Sequence, residues 1–494
     1  MRVVSKGATR GNQEALTMKA SMNDMQIASF GSLRSEVYIG VICLYFFCSL
    51  ALGILFSSLY VGISAFVFGV ILTTFVLRSR LAANLVYISC VVLLVEFFIA
   101  AALYYGYQQD YGLPYWMPGL DDYTLEEDAQ SFVRKGYQSV FDMVNGDTTR
   151  EIAHNAKGYV FLLACLIRVG SLFGGYHTMV PRLFNLLCLN LLSLMMAKAY
   201  QQITDSRNKA ARNEISLYIA LALFPNSVYL SSHIYRDTIS AFLLVYTFYC
   251  SVQIARGGFS ISSILKIIAT VAIAYWIRAA LVAFCAGIIC LVFLFASPDN
   301  LKYSLKRLAA SKALLYIVVM LAFLILAFLY KDTLFGYLER YTDNLSNSSN
   351  RIVSVIYSMP LIPLGLPLRF IAYLITPFYY SFVFNPPEWL SSTYAFSCLC
   401  ISIGTTALVS QYVFFFASIH KTKLLAIITI FLVAGIVLTT FGYRHVLMVY
   451  PFLFTTLRLG RDEIIERGAI RQYSSYSLAL ASVFLFFFSI VFIV

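Results

Sequence analysis

The chain has 494 residues, 60% of them hydrophobic and only 12% charged, with a formal net charge of +12. A soluble domain usually carries about 25% charged residues. The mean hydropathy of +0.78 and the many apolar runs of about 18–24 residues exclude an ordinary soluble protein and predict an all-α polytopic membrane protein. In such a protein the excess of Lys and Arg is expected in cytoplasmic loops, so the positive charge does not indicate a nucleic-acid partner.

The apolar runs predict about 13 transmembrane helices. In chain order they are expected at 37–57, 59–77, 83–105, 182–203, 213–231, 238–255, 263–277, 280–298, 313–330, 395–418, 424–441, 446–460 and 473–494. Two further apolar segments, 158–176 and 366–384, are interrupted by Arg168, Arg369 and Pro377. We expect these two segments to be interfacial or re-entrant helices.

The strongly basic short segments fix the expected orientation, because Lys and Arg collect in cytoplasmic loops. All of them fall on one side of the predicted topology: the N-terminal tail, 77–81, 206–212, 301–312, 420–423 and 458–467. Residues 1–35 are then a cytoplasmic tail, and residues 36–494 form a single transmembrane domain. Two long loops, 106–181 and 331–394, fall on the extracytoplasmic side. Loops of this length are uncommon unless they are functional or disordered, and their aromatic-rich sequences favour function and predict amphipathic helices.

Ionisable residues gather near the predicted extracytoplasmic ends of the helices. The arginines among them are Arg182, Arg236, Arg278, Arg369 and Arg444. A single arginine there would snorkel to lipid head groups, but five on the side that the positive-inside rule disfavours indicate a common anionic ligand. The guanidinium group binds phosphate through paired hydrogen bonds and stays charged. We therefore expect these arginines, with His233 and His445, to bind a phosphate or pyrophosphate at the membrane surface.

Three aspartates share that side: Asp121 and Asp122 in the first loop, and Asp237 at a tight turn between helices. Such carboxylates can accept a proton from an attacking hydroxyl or hold a divalent metal ion. The alternatives are structural, since Asp121 and Asp122 would suit the first turn of a helix and Asp237 would cap a helix or pair with Arg236. His233 lies four residues before Asp237, so a continuing helix would place both on one face.

Four stretches, taken in order, resemble the GT-C superfamily of integral membrane glycosyltransferases, which use polyprenyl-phosphate-linked sugars at the extracytoplasmic face. They are DDYTLEEDAQSFVRKG in the first loop, GYVFLLACLIRVGSLFGGYHTMVPRLFNLL with Arg182 opening a helix, FPNSVYLSSHIYRD ending at Asp237, and GYRHVLMVYPFLF late in the chain. The resemblance covers roughly residues 100–260 and, more weakly, 440–460. The chain departs from the family pattern because two predicted helices, 37–57 and 59–77, precede the helix that normally leads into the first loop.

The resemblance implies an inverting transfer of a sugar or oligosaccharide from a polyprenyl-(di)phosphate donor to an acceptor hydroxyl. The product would be a cell-surface polysaccharide or glycoconjugate. In this family an acidic residue of the first loop is the catalytic base, which corresponds here to Asp121 or Asp122. Asp237 would orient the acceptor, hold His233 or coordinate a metal ion, Mg²⁺ or Mn²⁺, if one is used.

The same scheme assigns the remaining candidates and the location of the protein. Arg236, Arg278 and Arg444, joined by Arg182 and Arg369, would bind the donor phosphates. Trp116 in the first loop would stack on a sugar or belong to an interfacial aromatic belt. The expected location is the inner (plasma) membrane of a bacterium, with the N-terminus in the cytoplasm and the active site outside.

Two other functions stay open. A repeat-unit polymerase of the O-antigen or capsule type would use a similar arginine-rich cavity but accept two lipid-linked saccharides, and the segments YRD at 235–237 and WIR at 276–278 resemble such proteins. A transporter or flippase of an anionic lipid-linked substrate would show charges at the midplane and inverted repeats. The sequence places the charges at the outer rim and contains no evident repeat, which argues against transport.

Overall fold

The computed structural model describes residues 38–79, 84–136, 156–204, 207–257, 260–295, 351–375, 391–419, 423–439 and 443–493. Within these ranges the regular structure is helical and contains no strand, which confirms the all-α prediction. The predicted tail 1–35, the predicted span 313–330 and parts of both predicted loops lie outside the described residues.

The helices follow one another along the whole described chain. The first part holds α1 Tyr38–Leu55, α2 Leu59–Ser79, α3 Leu85–Tyr111, α4 Asp121–Arg134, α5 Lys157–Ser171, α6 Met179–Thr204, α7 Arg207–Ala222, α8 Pro225–Ser231, α9 Asp237–Gly257, α10 Ile261–Ile277 and α11 Ala280–Phe295. The second part holds α12 Arg351–Ser358, a π-helix Leu361–Gly365, α13 Leu366–Leu374, α14 Ser392–Ser418, α15 Lys423–Thr439, a 3₁₀ helix Tyr443–Met448, α16 Tyr450–Glu466 and α17 Ile470–Ile493.

Six of the described helices are long and apolar enough to cross a membrane: α1, α2, α3, α6, α9 and α14. They correspond to the predicted spans 37–57, 59–77, 83–105, 182–203, 238–255 and 395–418. Helices α10, α11 and α15 match three more predicted spans but contain 17, 16 and 17 residues, fewer than the about 20 that a straight crossing needs. The membrane architecture is therefore supported, whereas the count of about 13 spans is not.

The predicted span 213–231 is two helices instead of one. Helix α7 ends at Ala222 and α8 begins at Pro225. Proline cannot donate the backbone hydrogen bond of a helix interior and forces the preceding residue out of helical geometry. Phe224 accordingly has extended backbone angles, φ −63° and ψ 124°. The predicted span 446–460 likewise starts inside the 3₁₀ helix and continues as α16, which begins at Tyr450 with Pro451 in its first turn.

Helices α6 and α9 form the centre of the bundle. In their most apolar stretches 89% and 83% of the residues are buried, against 22% for the peripheral helix α1. Helix α6 packs against α2, α3, α7 and α9, while α9 also contacts α10, α11 and the 3₁₀ helix. Because α6 and α9 are enclosed by other helices, the residues at their N-terminal ends are held in fixed positions.

The first predicted loop contains the two amphipathic helices expected there. Helix α3 ends at Gly112, which adopts left-handed angles (φ 74°) and donates its N–H to the carbonyl of Gln108, a common way to end a helix. Helices α4 and α5 then pack against each other, and α5 rests on α10. The contact with α10 is close because residue 158 is glycine, where a Cβ atom would lie 2.6 Å from the carbonyl carbon of Trp276.

Candidate functional site

Four segments meet at one end of the helix bundle. They are the start of α4, the turn 232–236 leading into α9, the end of α10, and the 3₁₀ helix. Their charged side chains form a group that we call the rim cluster, consisting of Asp121, Arg236, Asp237, Arg278, Arg444 and His445. Sequence positions more than 300 residues apart thus come together on the side that the charge pattern predicted to be extracytoplasmic.

Asp237 lies at the centre of the rim cluster. It is the first residue of α9, where a negative charge is favoured by the helix dipole. Its Oδ1 atom lies 3.9 Å from Arg278 Nη1 and 3.5 Å from His445 Nε2. Within the described part of the chain, neither Asp237 Oδ1 nor Arg278 Nη1 makes a hydrogen bond. These two buried atoms carry opposite charges and lie near each other, but each can still form a hydrogen bond with another molecule.

Arg444 connects the start of α4 to the turn before α9. Its Nη2 atom lies 2.6 Å from Asp121 Oδ2, and its guanidinium carbon lies 4.6 Å from the centre of the Tyr235 ring. Burial works against its charge, but Asp237, Tyr235 and Asp121 outweigh burial and raise the pKa of Arg444. Arg444 is thus a fixed cation.

The rim cluster carries more positive than negative charge. Burial, and then the nearby Arg278 and Arg444, lower the pKa of Arg236, which still leaves an arginine protonated near neutral pH. Burial, opposed by Asp237 and reinforced by the arginines, lowers the pKa of His445 to about 3, so this histidine is neutral at pH 7. Among the described residues, three arginines therefore face two carboxylates, Asp121 and Asp237, and this surplus of positive charge suits an anion.

Arg182 lies beside the rim cluster and joins two loops. The side chain is fully buried at the start of α6. Its Nη1 atom donates to the carbonyl of Ser232 at 3.2 Å, and its Nη2 atom donates to the carbonyl of Pro114. The guanidinium carbon also lies 5.7 Å and 6.0 Å from the ring centres of Tyr104 and Tyr115. Arg182 consequently fixes the first loop against the turn before α9.

Two buried carboxyl groups on α4, Asp122 and Glu126, form what we call the acidic pair. Their exposed fractions are 0% and 1%, whereas the neighbouring Asp121 side chain is 55% exposed. Asp122 Oδ1 accepts the backbone N–H of Tyr123 at 3.1 Å. Glu126 Oε1 accepts the hydroxyl of Thr178 at 2.8 Å. The remaining oxygen of each carboxyl group has no hydrogen-bond partner among the described residues.

Burial raises the pKa values of both members of the acidic pair, and the nearby Arg182 only partly offsets it. The pKa of Asp122 is raised to about 6 and that of Glu126 to about 7. Asp122 also lies beside the rim cluster, since its neighbour Asp121 is a member. Its charge adds to the effect of burial in raising the pKa of Tyr235, whose ring contacts Arg444. Raised pKa values at a site rich in charge are typical of proton-transfer groups.

The predicted partnership of His233 with Asp237 is wrong. Helix α8 ends at Ser231 and α9 starts at Asp237, so the helix does not continue through the turn. The His233 ring stacks on Tyr235 with centres 5.2 Å apart, and its Nδ1 atom lies 2.8 Å from the carbonyl oxygen of Tyr229. Burial and the charge of Arg182 lower its pKa to about 3. The histidine that contacts Asp237 is His445.

Two further candidates lie apart from the rim cluster. Arg369 is buried on α13, where its Nη2 donates to the carbonyl of Tyr357 at 3.1 Å and its guanidinium carbon lies 4.1 Å from the Tyr357 ring centre. Trp116 stacks on Tyr394 with ring centres 4.9 Å apart. Neither side chain contacts a member of the rim cluster within the described ranges.

The described residues do not favour a divalent metal ion at this site. No group of three or more His, Cys, Asp or Glu side chains in the described ranges is arranged to hold a metal. Asp121 and Asp237 each face an arginine, so a metal cation placed at either carboxylate would meet a like charge. The expectation that Asp237 coordinates Mg²⁺ or Mn²⁺ therefore does not fit its surroundings.

Sequence reasoning missed Glu126 and the interior residue Glu96. Glu126 follows Asp122 by four residues on a predicted amphipathic helix, and this spacing places both on one face. Glu96 is fully buried in the middle of the membrane-length helix α3. Its Oε2 atom accepts from Asn190 Nδ2, and Asn190 Oδ1 accepts from the hydroxyl of Tyr218. Ionisable residues are thus not confined to the rim, contrary to the expectation from the sequence.

Searches with the full chain against models of known protein families, against curated proteins and against solved structures returned no match.

Proposed function

We propose that this protein is a membrane glycosyltransferase. It moves a sugar or oligosaccharide from a polyprenyl-(di)phosphate donor to an acceptor hydroxyl at the extracytoplasmic face, in the synthesis of a cell-surface polysaccharide or glycoconjugate. The membrane is the inner (plasma) membrane of a bacterium, with the N-terminus in the cytoplasm. The sequences of the first loop and of the turn before α9, which resemble the GT-C superfamily, support this function.

One observation carries the proposal: three arginines converge on Asp237 at the end of a membrane bundle, beside a buried carboxyl group of raised pKa. Arginine side chains donate paired hydrogen bonds to phosphate oxygens and keep their charge. A lipid-linked phosphate is an anion whose tail must lie in the bilayer, so a cationic cluster at the rim of membrane helices suits its position.

The arginines would act on the leaving group. Glycosyl transfer breaks the bond between the anomeric carbon and the phosphate oxygen, and negative charge develops on that phosphate. Arg236, Arg278 and Arg444 would stabilise this charge, as fixed donors do in other enzymes. A phosphate is already a fair leaving group, so the scheme needs no general acid.

Asp122 would act on the acceptor. Its unpartnered Oδ2 atom can take the proton of the attacking hydroxyl group while the new glycosidic bond forms. Asp121 is less suited to this role, because it is exposed and occupied by Arg444. Asp237 would hold Arg278 and His445 in place and orient the acceptor.

Transfer assays on membranes containing Asp122→Asn and Asp237→Asn variants test the proposal. The probe is a set of synthetic polyprenyl-phosphate and polyprenyl-diphosphate sugars carrying a radiolabel in the sugar. We expect Asp122→Asn to lower the rate by about 10²–10⁴-fold, the contribution of a general base. Glu127→Gln is the matched control, since Glu127 is exposed on the same helix. Transfer at the wild-type rate in both aspartate variants would contradict the proposal.

The pH dependence of the same assay gives a second check. Asp122 must be ionised to accept a proton, and its pKa is raised to about 6. The transfer rate is therefore expected to rise with pH through about 6 and then to level off. The length of the product separates a single transferase from a repeat-unit polymerase, because a polymerase yields a ladder of products.

Transport is the second candidate function, and Glu96 is the observation that favours it. Ionisable residues within membrane helices commonly mark substrate or proton pathways. A proton-coupled transporter or flippase of an anionic lipid-linked substrate would use Glu96 for the proton and the rim cluster for the anion. Flux of a lipid-linked sugar into proteoliposomes without formation of a glycosidic bond, abolished by Glu96→Gln, would support transport over transfer.

A further inference from the structure

Glu126 is a second buried carboxyl group beside the assumed base, and the proposed mechanism leaves it without a task. It lies one helical turn after Asp122 on the same face of α4. Both carboxyl groups are withdrawn from water, and the charge of Asp122 adds to the causes that raise the pKa of Glu126. A second negative charge beside the first is therefore disfavoured.

Among the described residues, one arginine acts on both carboxyl groups of the acidic pair. Arg182 is the cation that faces both of them, and no ion pair of 4.0 Å or less joins it to either carboxyl group in the described ranges. Its two terminal nitrogens instead donate to the carbonyls of Ser232 and Pro114. One guanidinium at a distance compensates a single carboxylate better than two.

Among the described residues, the other side chains that act on the acidic pair are uncharged, apart from Asp121. They come from every element packed around α4: Tyr104 and Tyr107 of α3, Tyr115 of the first loop, Tyr159 of α5, Tyr176 and Thr178 before α6, Tyr235 of the turn before α9, and Tyr443 of the 3₁₀ helix. Asp121 adds a further negative charge next to Asp122. This environment favours one ionised and one protonated carboxyl group.

The hydrogen bonds indicate which member of the pair is ionised. Asp122 Oδ1 accepts a backbone N–H from Tyr123, and a backbone donor stabilises the carboxylate form. Glu126 accepts only from side chains, chiefly the Thr178 hydroxyl at 2.8 Å, which can rotate to accept a hydrogen bond as well. Asp122 is thus better suited to carry the charge and Glu126 to carry the proton.

We propose that Asp122 and Glu126 share one proton, and that Glu126 is the positioning residue that holds this proton so that Asp122 stays ionised as the base. The role in catalysis rests on the proposed glycosyl transfer; the shared proton does not. When the acceptor O–H bond breaks, its proton binds to Asp122 and the pair holds two protons. One proton then leaves to water by way of Glu126 and Thr178, and the pair returns to one.

Infrared difference spectroscopy of the full chain in nanodiscs tests the shared proton directly. A pH step from 5 to 8 should bleach a carboxylic-acid C=O band that is missing from Glu126→Gln. In Asp122→Asn, where the neighbouring negative charge is absent, the midpoint of the Glu126 band should change by about one pH unit or more, the size expected of a coupled pair. Glu127→Gln should reproduce the wild-type band and midpoint.

Two results would overturn the inference. Superimposable spectra of the wild type and Glu126→Gln would show that Glu126 holds no proton in this range. An unchanged Glu126 midpoint in Asp122→Asn would show that the two groups are not coupled. Melting temperatures of both isosteric variants in the same nanodiscs identify any variant whose spectrum changes because the fold is lost, and Glu126→Asp then replaces Glu126→Gln.

The transfer assay separates this inference from the proposed function. Glu126→Gln is expected to change the pH midpoint of transfer while retaining activity at its new optimum, whereas Asp122→Asn loses activity at every pH. Coupled infrared midpoints combined with unchanged transfer in Asp122→Asn would reject the transferase and keep the carboxyl pair. Uncoupled infrared midpoints combined with loss of transfer in Asp122→Asn would keep the transferase and reject the carboxyl pair.

Discussion

The rim cluster and the interior network around Glu96 both place polar groups out of water, but they solve the problem differently. At the rim, Arg278 and Arg444 lie opposite Asp237 and Asp121, and among the described residues the arginines outnumber the carboxylates. In the interior, Glu96 forms no ion pair among the described residues and interacts instead with the amide of Asn190.

The difference follows from depth. Near the end of the bundle charges retain some access to water, and a net positive charge can persist until an anion arrives. In the middle of α3 the partners of a carboxyl group are uncharged, and their hydrogen bonds hold neighbouring helices together. We therefore expect the rim cluster to govern ligand binding and the interior network to govern stability.

Between the rim cluster and the interior network, loss of an arginine at the rim should give the larger effect. Arg278→Gln and Arg444→Gln remove donors from the place where phosphate charge develops, and each is expected to lower the transfer rate by about 10²–10³-fold. Arg461→Gln is the control, because Arg461 is exposed on α16 away from the rim cluster. Retention of transfer within about threefold in both rim variants would break the comparison.

Loss of the interior amide should act on stability. Asn190→Leu leaves Glu96 and the Tyr218 hydroxyl without their partner, which costs about 1–3 kcal/mol. The melting temperature in detergent should fall, and the double variant Asn190→Leu/Glu96→Leu should recover part of the loss, since removing both partners is cheaper than orphaning one. A double variant less stable than Asn190→Leu would contradict this account.

The stability of the protein should also depend on pH through the acidic pair. The pKa values of about 6 for Asp122 and about 7 for Glu126 exceed those of an unfolded chain, so the native state binds protons more tightly. The free energy of unfolding is then at its highest below pH about 4, where both groups are protonated in either state, and it falls as the pH rises through about 7. We expect the melting temperature to drop by a few degrees over this interval and Glu126→Gln, unlike Glu127→Gln, to flatten the slope.

Asp121 should give the smallest effect. Its ion pair with Arg444 is short, 2.6 Å, but more than half of the Asp121 side chain is exposed, and such pairs contribute about 0–1 kcal/mol. Asp121→Asn is expected to change both the melting temperature and the transfer rate only slightly. A loss of transfer as large as that of Asp122→Asn would assign the base to Asp121.

The sequence predicted the helical class and the gathering of the arginines because both depend on simple rules. Apolar runs identify membrane helices, and the alternation of sides along the chain places Asp237, Arg278 and Arg444 at one end. Side-chain direction needs more information. The break before Pro225 and the turn 232–236 rotate His233 toward Tyr235 and away from Asp237, and no local pattern indicated that His445 would replace it.

The hidden carboxyl groups show a second limit of sequence reasoning. Glu126 looks like one of several acidic residues on a solvated helix until α5 covers that face. Glu96 is a single acidic residue in an apolar run, and its hydrogen-bond partner, Asn190, lies 94 residues later in the chain. Burial by distant elements decides both cases, and single-sequence periodicity does not report it.

Gly158 bears on how this protein would behave in bilayers of different thickness. Helices adjust their tilt to the thickness of the surrounding hydrocarbon. Because residue 158 has no Cβ, α5 rests directly on the backbone of α10 at Trp276, two residues before Arg278, and α4 is packed on α5. A change in the tilt of α10 is then expected to carry α5 and α4 with it. The spacing between Arg278 and the acidic pair would be preserved from one membrane to another.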